Sequence, residues 1–364
     1  MVITTELADE PSAPLSPITA PTKAGGSFAR YLVTRFLLIF PTIFILVTLV
    51  FFLMRVTGDP ITAALGGRLT PDQLAERIAA AGYDRPVMVQ YLEYLGQVFT
   101  GNFGRTLSDN RAVSEVLTTY GSATAELAFN SLVIALLIGI PFGLVSAKLR
   151  DRWPDAILRV FAILCYATPV FFAGLLLKLI FGVWLGWLPI AGRAGINAEL
   201  ALTSLQNPSG IFLLDALRSG NMAAASDVIQ HAILPAVALG LLTAGVFMRL
   251  VRTNVIGTLG RDYVEAGRSR GVSEYRLLTK HAYRPALIPI ITVMGLQIAL
   301  LLGGAVLTET TFEWKGLGFM LAEYLTARDF VAVQGIVVLL AVIVAVTNFI
   351  VDIIAALIDP RVRF

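Results

Sequence analysis

The sequence predicts an all-α membrane protein with six transmembrane helices, and three observations predict it. Hydrophobic residues make up 56% of the 364 and charged residues only 15%, a balance too apolar for a soluble globule. Long uncharged runs recur at close to the ~20 residues that a helix needs to cross hydrocarbon. Basic residues gather in alternate connections between those runs, the asymmetry that marks the cytoplasmic side. The net charge of +3 is small, and nothing in its distribution points to nucleic acid.

Residues 1–29 are rich in Pro, Thr, Ala and Ser with no structural period, and they read as a disordered cytoplasmic tail. A six-helix domain spans residues 30–364. Its first span, residues 36–54, is preceded by Arg30 and Arg35, which places the N-terminus in the cytoplasm. The residues before it lack the apolar core of a signal peptide. Residues 56–125 mix charges of both signs and form a long external segment between helices 1 and 2. Short helices are expected there over 71–80, with Thr70 as cap and Pro71 at the first position, and over 87–98.

The second span, residues 127–147, carries Ala135, Gly139 and Gly143 at every fourth position, a stripe that lets another helix backbone approach closely. Lys148, Arg150, Arg152 and Arg159 return the chain to the cytoplasmic side. The third span, 156–182, contains Thr168-Pro169, whose ring removes a backbone hydrogen bond and bends the helix. Lys178 near its outer end is expected to snorkel to the interface, where Trp184 and Trp187 mark the boundary. Residues 192–227 read as a polar, loop-like external segment. The fourth span, 228–248, has Gly240 and Ala244 as a small pair, and the fifth, 285–308, repeats the device with Gly295, Ala299 and Gly303. Residues 309–329 are expected outside, and the sixth span starts at Phe330 and leaves the C-terminus inside.

Between the fourth and fifth spans, residues 249–285 hold eight basic residues from Arg249 to Arg284 against Asp262, Glu265 and Glu274. Residues 262–270 suit a helix, and Gly271 supplies the left-handed conformation that commonly ends one. Ser273 is placed to cap a second helix, Glu274 sits at the positive end of that helix, and Tyr275, Leu278 and Ala282 recur along it as an apolar stripe. Two short helices joined by a tight turn result. On composition alone this is either a docking surface or a basic loop that merely fixes topology. Gly267-Arg-Ser-Arg-Gly271 satisfies the Gly-x-Ser-x-Gly pattern of hydrolase nucleophiles, but the buried strand that this motif requires is not expected here, so Ser269 is rejected as a nucleophile.

The stretch resembles the cytoplasmic "EAA" loop of importer-type ABC-transporter permeases. Glu265, Ala266 and Gly271 match, Gly267 stands in place of the second Ala, and His281-Ala-Tyr-Arg-Pro285 replaces the usual Ile-x-Leu-Pro ending, as it tends to in dipeptide/oligopeptide permeases. The likeness extends over about residues 30–364 and includes His231-Ala-Ile-Leu-Pro235, Asp359-Pro-Arg361 and Glu309-Thr-Thr-Phe-Glu-Trp-Lys-Gly-Leu-Gly318, with Lys315 where the family usually has Pro. The resemblance implies a type I ABC importer permease fold in a bacterial plasma membrane, with both termini cytoplasmic. It implies that Glu265, Ala266, Gly267, Arg268, Gly271, Ser273 and Tyr275 form the contact with an ATPase. It further implies a second homologous permease, two ATP-binding subunits and an extracytoplasmic substrate-binding protein as partners, lipid around the spans, and short peptides as cargo. Nickel chelates, glutathione or oligosaccharides are the alternative cargoes within the same mechanism; an ion-coupled secondary transporter is the more distant rival, for which neither a clear internal repeat nor a mid-span carboxylate is found.

The chain has no Gly-x-x-x-x-Gly-Lys-Ser/Thr phosphate loop, so ATP and Mg are expected in the partner subunits and no cofactor or catalytic residue in this one. Its two histidines, His231 and His281, lie far apart without Cys or carboxylates at ligand spacing, and no metal site is expected. The single Cys165 lies in an apolar run and packs as a small hydrophobe. Asn130, Gln297, Asn348 and Asp352 are the polar side chains that lipid would penalise. Interhelical hydrogen bonding and a translocation path are both open to them; Gln297, mid-span on the fifth helix, and Asn130 are the path candidates.

Overall fold

The computed structural model describes residues 28–56 and 58–358. The expected tail falls almost wholly outside these, except that residues 28 and 29 already belong to the first helix; the C-terminal Asp359-Pro-Arg361 motif also falls outside. Among the described residues every regular element is a helix. Four helices are long and apolar enough to cross a membrane, and two bent pairs bring the number to six if each pair is one span.

Helix α1 (Phe28–Val56) lies at the edge of the bundle, packed on the last helix. Leu37, Leu38, Phe40, Ile45 and Leu49 on its outer face are half or more exposed, which suits lipid. Three short helices come next: α2 (Pro60–Leu65), α3 (Pro71–Ala80) and α4 (Val87–Phe99). Helix α3 begins with the expected cap, a reciprocal pair in which Thr70 accepts from the Gln73 amide and Gln73 accepts from that of Thr70. Helix α5 (Val113–Lys148) starts well before the apolar run. Residues 113–125, expected in the external segment, therefore extend the second span as a continuous helix rather than a connection.

The third span is not one helix. α6 (Trp153–Ala167) and α7 (Val170–Leu177) meet at Thr168-Pro169 with a bend of 107°, and a π-helical turn, Lys178–Trp184, continues α7. Lys178 does not snorkel outward. Its Nζ donates to the Thr311 carbonyl at 2.8 Å and lies over the Phe312 ring, so it satisfies a carbonyl that the end of α13 leaves free. Residues 192–227 likewise depart from the expected loop: they form α8 (Ile196–Thr203), α9 (Phe212–Arg218) and the start of α10 (Met222–Leu259), around a small core of Ala194, Leu202, Phe212, Ala216 and Val228.

α10 is the central element and packs along most of α5. A Cβ on Gly139 would lie 2.7 Å from Phe247 Cβ, and one on Gly143 would lie 2.7 Å from Val251 Cβ and 2.9 Å from the Met248 carbonyl. The stripe read from the sequence is thus where two backbones meet. In lipid this closeness replaces the hydrophobic drive that water would provide.

After α10 come α11 (Asp262–Ser269), the single turn α12 (Glu274–Arg276) with a π-helical turn Leu277–Ala282, and α13 (Tyr283–Phe312). α14 (Leu317–Thr326) and α15 (Phe330–Ile358) complete the chain. Residues 309–329 are not a simple external loop, since Glu309, Phe312, Trp314 and Leu317 are buried in the bundle. Trp314 Nε1 donates to the Ala123 carbonyl of α5. Asp329, also buried, accepts from the backbone amides of Leu107 and Ser108 and so ties the α4–α5 connection to the start of α15.

Candidate functional site

The α10–α13 connection has a buried underside and an open face. Val264 of α11 is fully buried, as are Leu277 and Ala282, with Leu278 nearly so. The last two join Phe247, Val251 and Val255 of α10 and Ala286 and Ile290 of α13 in one core. α11 therefore rests on the root of α13 and does not hang free. At Gly267, a Cβ would lie 2.9 Å from Leu277 Cδ2, so glycine lets the helix settle closer to that leucine than alanine would.

The chain reverses at Gly271, with φ of +76°. The Val272 amide bonds the Gly267 carbonyl and the Gly271 amide that of Arg268, the paired bonds of a Schellman stop. Arg268 Nε and Glu274 Oε1, 2.6 Å apart, bridge the two arms of the turn. Ser273 occupies the first capping position, but its side chain makes no capping hydrogen bond, so the expected cap is positional only. Tyr275 departs from the expected apolar stripe: it is 71% exposed while Leu277 takes the buried place, because the π-helical turn shifts the phase of the buried face. Glu265, Ala266, Arg268, Gly271, Ser273 and Tyr275 all lie on the open surface, with Gly267 half-buried beneath. The Ser269 hydroxyl is turned onto the Glu265 carbonyl.

A second group, at the start of α6, is one that sequence reading does not single out. Asp155, fully buried at the start of α6, accepts from Arg252 Nε at 2.7 Å and Nη2 at 2.8 Å, from Ser146 Oγ and from the Asp151 amide. It joins α5, α6 and α10. Sequence alone shows only a charge in a basic connection; its partner lies 97 positions away.

The two path candidates are placed apart. Asn130 is half-buried and lines a shallow groove of about 150 Å³ with Glu126, Leu213 and Ile233. Gln297 is buried on α13 and is not among the groove's walls. Asn348 lies beside Gly295, with Oδ1 3.4 Å from where a Cβ would sit, and Asp352 pairs with Arg35 of α1 at 3.5 Å. His231 bonds the Asp227 carbonyl one turn back, and among the described residues no cluster suited to a metal occurs.

At the opposite end of α5, two further buried acids hold the connections in place. Glu126 pairs with Arg193, whose guanidinium also stacks on Phe212 at 3.8 Å. Glu309 lies beyond the apolar stretch of α13. It accepts from Thr124 Oγ1 at 2.7 Å and from the Phe319 amide at 2.9 Å, which caps the first turn of α14.

Comparison with known proteins shows the family to which the chain belongs. Residues 139–364 match the family described as "Binding-protein-dependent transport system inner membrane component", and residues 28–115 match its N-terminal part. The chain is 36% identical over 335 residues to the di/tripeptide transport system permease protein DppB of Pseudomonas aeruginosa, covering 92% of this chain and 98% of that one. It is 33% identical to the dipeptide transport system permease protein DppB of Escherichia coli K12, over 92% and 98%, and 33% to the glutathione transport system permease protein GsiC of Salmonella choleraesuis, over 92% and 99%. An inward-facing structure of the MetNI methionine ABC transporter aligns with a TM-score of 0.48 at 16% identity, covering 67% of this chain and 96% of that one.

Proposed function

The chain belongs to the family of binding-protein-dependent transport system inner membrane components, and from that premise we propose that it is the permease subunit of an ATP-driven importer of short peptides. The relatives named for di- and tripeptide transport support that cargo over glutathione. The observation that carries the mechanism is the α11 platform: its outer face is open, while Val264 and Leu277 beneath it are buried and the adjoining Leu278 and Ala282 share a core with α10 and α13.

In this reading an ATP-binding subunit grips α11 and the turn after it, with Glu265, Ala266, Arg268, Ser273 and Tyr275 as contacts and Gly267 and Gly271 shaping the platform. This surface lies in the cytoplasm, as its excess of basic residues suggests. A second permease supplies the other half of the path, a second ATPase engages that permease, and an extracytoplasmic binding protein delivers peptide. ATP and Mg belong to the ATPases. ATP can bias the outward–inward equilibrium only if the ATPase holds α11 differently in the two states, and a load on α11 reaches α10 and α13 through the π-helical turn it rests on, whose Leu278 and Ala282 share one core with them. Gln297 and Asn130 are the proposed polar contacts along the path.

Gly271→Val tests the coupling role. Nothing lies within 4 Å of the added Cβ, so the cost is conformational, on the order of 1–2 kcal/mol for a left-handed non-glycine residue and more for a β-branched one. ATP-dependent dipeptide uptake should fall about tenfold at equal membrane abundance, whereas Gly271→Asn, which tolerates the left-handed region, should keep most of it. Full uptake by a normally inserted valine variant would refute the role of this turn.

A further inference from the structure

Where α6 packs on α10, the surface opens into a cleft of about 250 Å³ that the α11 platform does not use. Its α6 wall is made by Arg159, Ala162, Ile163 and Tyr166, which are spaced three or four residues apart and so share one stripe of the helix. Arg249 and Arg252 of α10 stand on the other side. Arg252 and Arg159 both pair with the fully buried Asp155, at 2.7 and 3.7 Å, at the start of α6. The polar end of the cleft is therefore the end at the α5–α6 connection, and from there the apolar stripe runs towards the bend at Thr168-Pro169. Asp151 in that connection is taken up by Arg150. Arg249 is exposed, one turn along α10 from Arg252, and is in no ion pair with a carboxylate among the described residues.

Three guanidiniums on the walls are thus set against the one carboxylate behind them, and an excess of positive charge at the edge of a membrane span is favoured by an anion. Arginine suits phosphate in particular, because its planar fork donates two parallel hydrogen bonds. A free anion would leave Ala162, Ile163 and Tyr166 facing an empty cleft, whereas a lipid answers both ends of it. At this size the cleft takes a headgroup and not whole acyl chains, which have the exposed Ile157, Val160 and Leu164 of α6 to lie against. Trp153, exposed at the first residue of α6, suits the level of the headgroups. We infer that this cleft seats the phosphate of an anionic glycerophospholipid, with its chains running along α6. Binding of this kind requires only that α5, α6 and α10 lie in a bilayer, and neither the cargo nor the ATPase contact. On the orientation proposed above, the lipid belongs to the cytoplasmic leaflet.

The test is native mass spectrometry of the full chain in a neutral detergent, titrated with phosphatidylglycerol and, separately, with phosphatidylcholine of the same acyl chains. Both lipids carry the phosphate, but choline cancels its charge. The first phosphatidylglycerol should therefore bind about tenfold more tightly than the first phosphatidylcholine. Arg249→Gln, at an exposed position that folding does not depend on, should weaken phosphatidylglycerol about tenfold, as loss of a charge-assisted hydrogen bond does, and leave phosphatidylcholine unchanged. Arg249→Lys, which keeps the charge, should retain most of the preference. Equal affinity of the unmodified chain for the two lipids would overturn the inference, and so would phosphatidylglycerol binding that Arg249→Gln leaves intact. Displacement of the bound lipid by millimolar inorganic phosphate would overturn it as well, because the cleft would then be a site for a free anion. None of these outcomes bears on coupling through α11, which uptake by the Gly271 variants reads independently.

Discussion

Asp155→Ala is expected to be the most destabilising single change on the platform side, by about 3–5 kcal/mol. The aspartate is fully buried and takes two hydrogen bonds from Arg252, whose guanidinium is mostly shielded. Removing the carboxylate strands that cation and frees Ser146 Oγ and the Asp151 amide. Thermal unfolding of the purified chain in mild detergent should show a lowered midpoint and reduced recovery from the membrane. Adding Arg252→Met should return much of the loss, because the penalty comes from the unpaired charge rather than from the missing attraction. A single variant as stable as the parent would mean that water reaches the site and that the pair does not hold α5, α6 and α10 together.

Gly143→Val should be nearly as damaging through packing alone. The new side chain would meet Val251 Cβ at 2.7 Å and the Met248 carbonyl at 2.9 Å, and a backbone atom cannot swing aside as the tip of a flexible side chain can. α5 and α10 would have to part along their shared face, at a cost of about 1–3 kcal/mol for overpacking or more. Gly257→Val, where nothing lies within 4 Å, serves as the control, since valine is a better helix former than glycine and meets no neighbour there. The check is the fraction of each variant that runs as a single sharp peak in size-exclusion chromatography. Equal monodispersity would argue that the two helices are not pressed together as described.

Much of the helix inventory is legible because lipid imposes length and apolarity, and because a stripe such as Ala135, Gly139 and Gly143 has one ready use in a bundle. The α11 turn is legible for a different reason: Gly271 and the residues around it fix the backbone locally. The ends of the spans are less so. Residues 113–125 are polar enough to read as a connection, yet they are helical because Val113, Val116 and Leu117 pack against Leu317 and Ile336, contacts that no local window contains. The same holds for the buried acids. Asp155, Glu126, Glu309 and Asp329 each depend on a partner distant in the chain, and a sequence shows a carboxylate without showing what it meets. Lys178 escapes sequence reading because the Thr311 carbonyl it serves is brought near only by the break at Thr168-Pro169.

The π-helical turn at Leu277–Ala282 sets a phase relation that a regular helix would not. An α-helix advances about 100° per residue, and a π-turn accommodates one residue more than its surroundings. The arc of surface that carries Glu274 and Tyr275 is thereby rotated relative to the face of α13 that enters the bundle. Shortening this turn by one residue would leave composition, charge and hydropathy almost untouched, yet would swing that arc by about 100° about the helix axis. The azimuth at which this protein presents its platform is therefore written in the number of residues in one turn, and not in the chemistry of any of them.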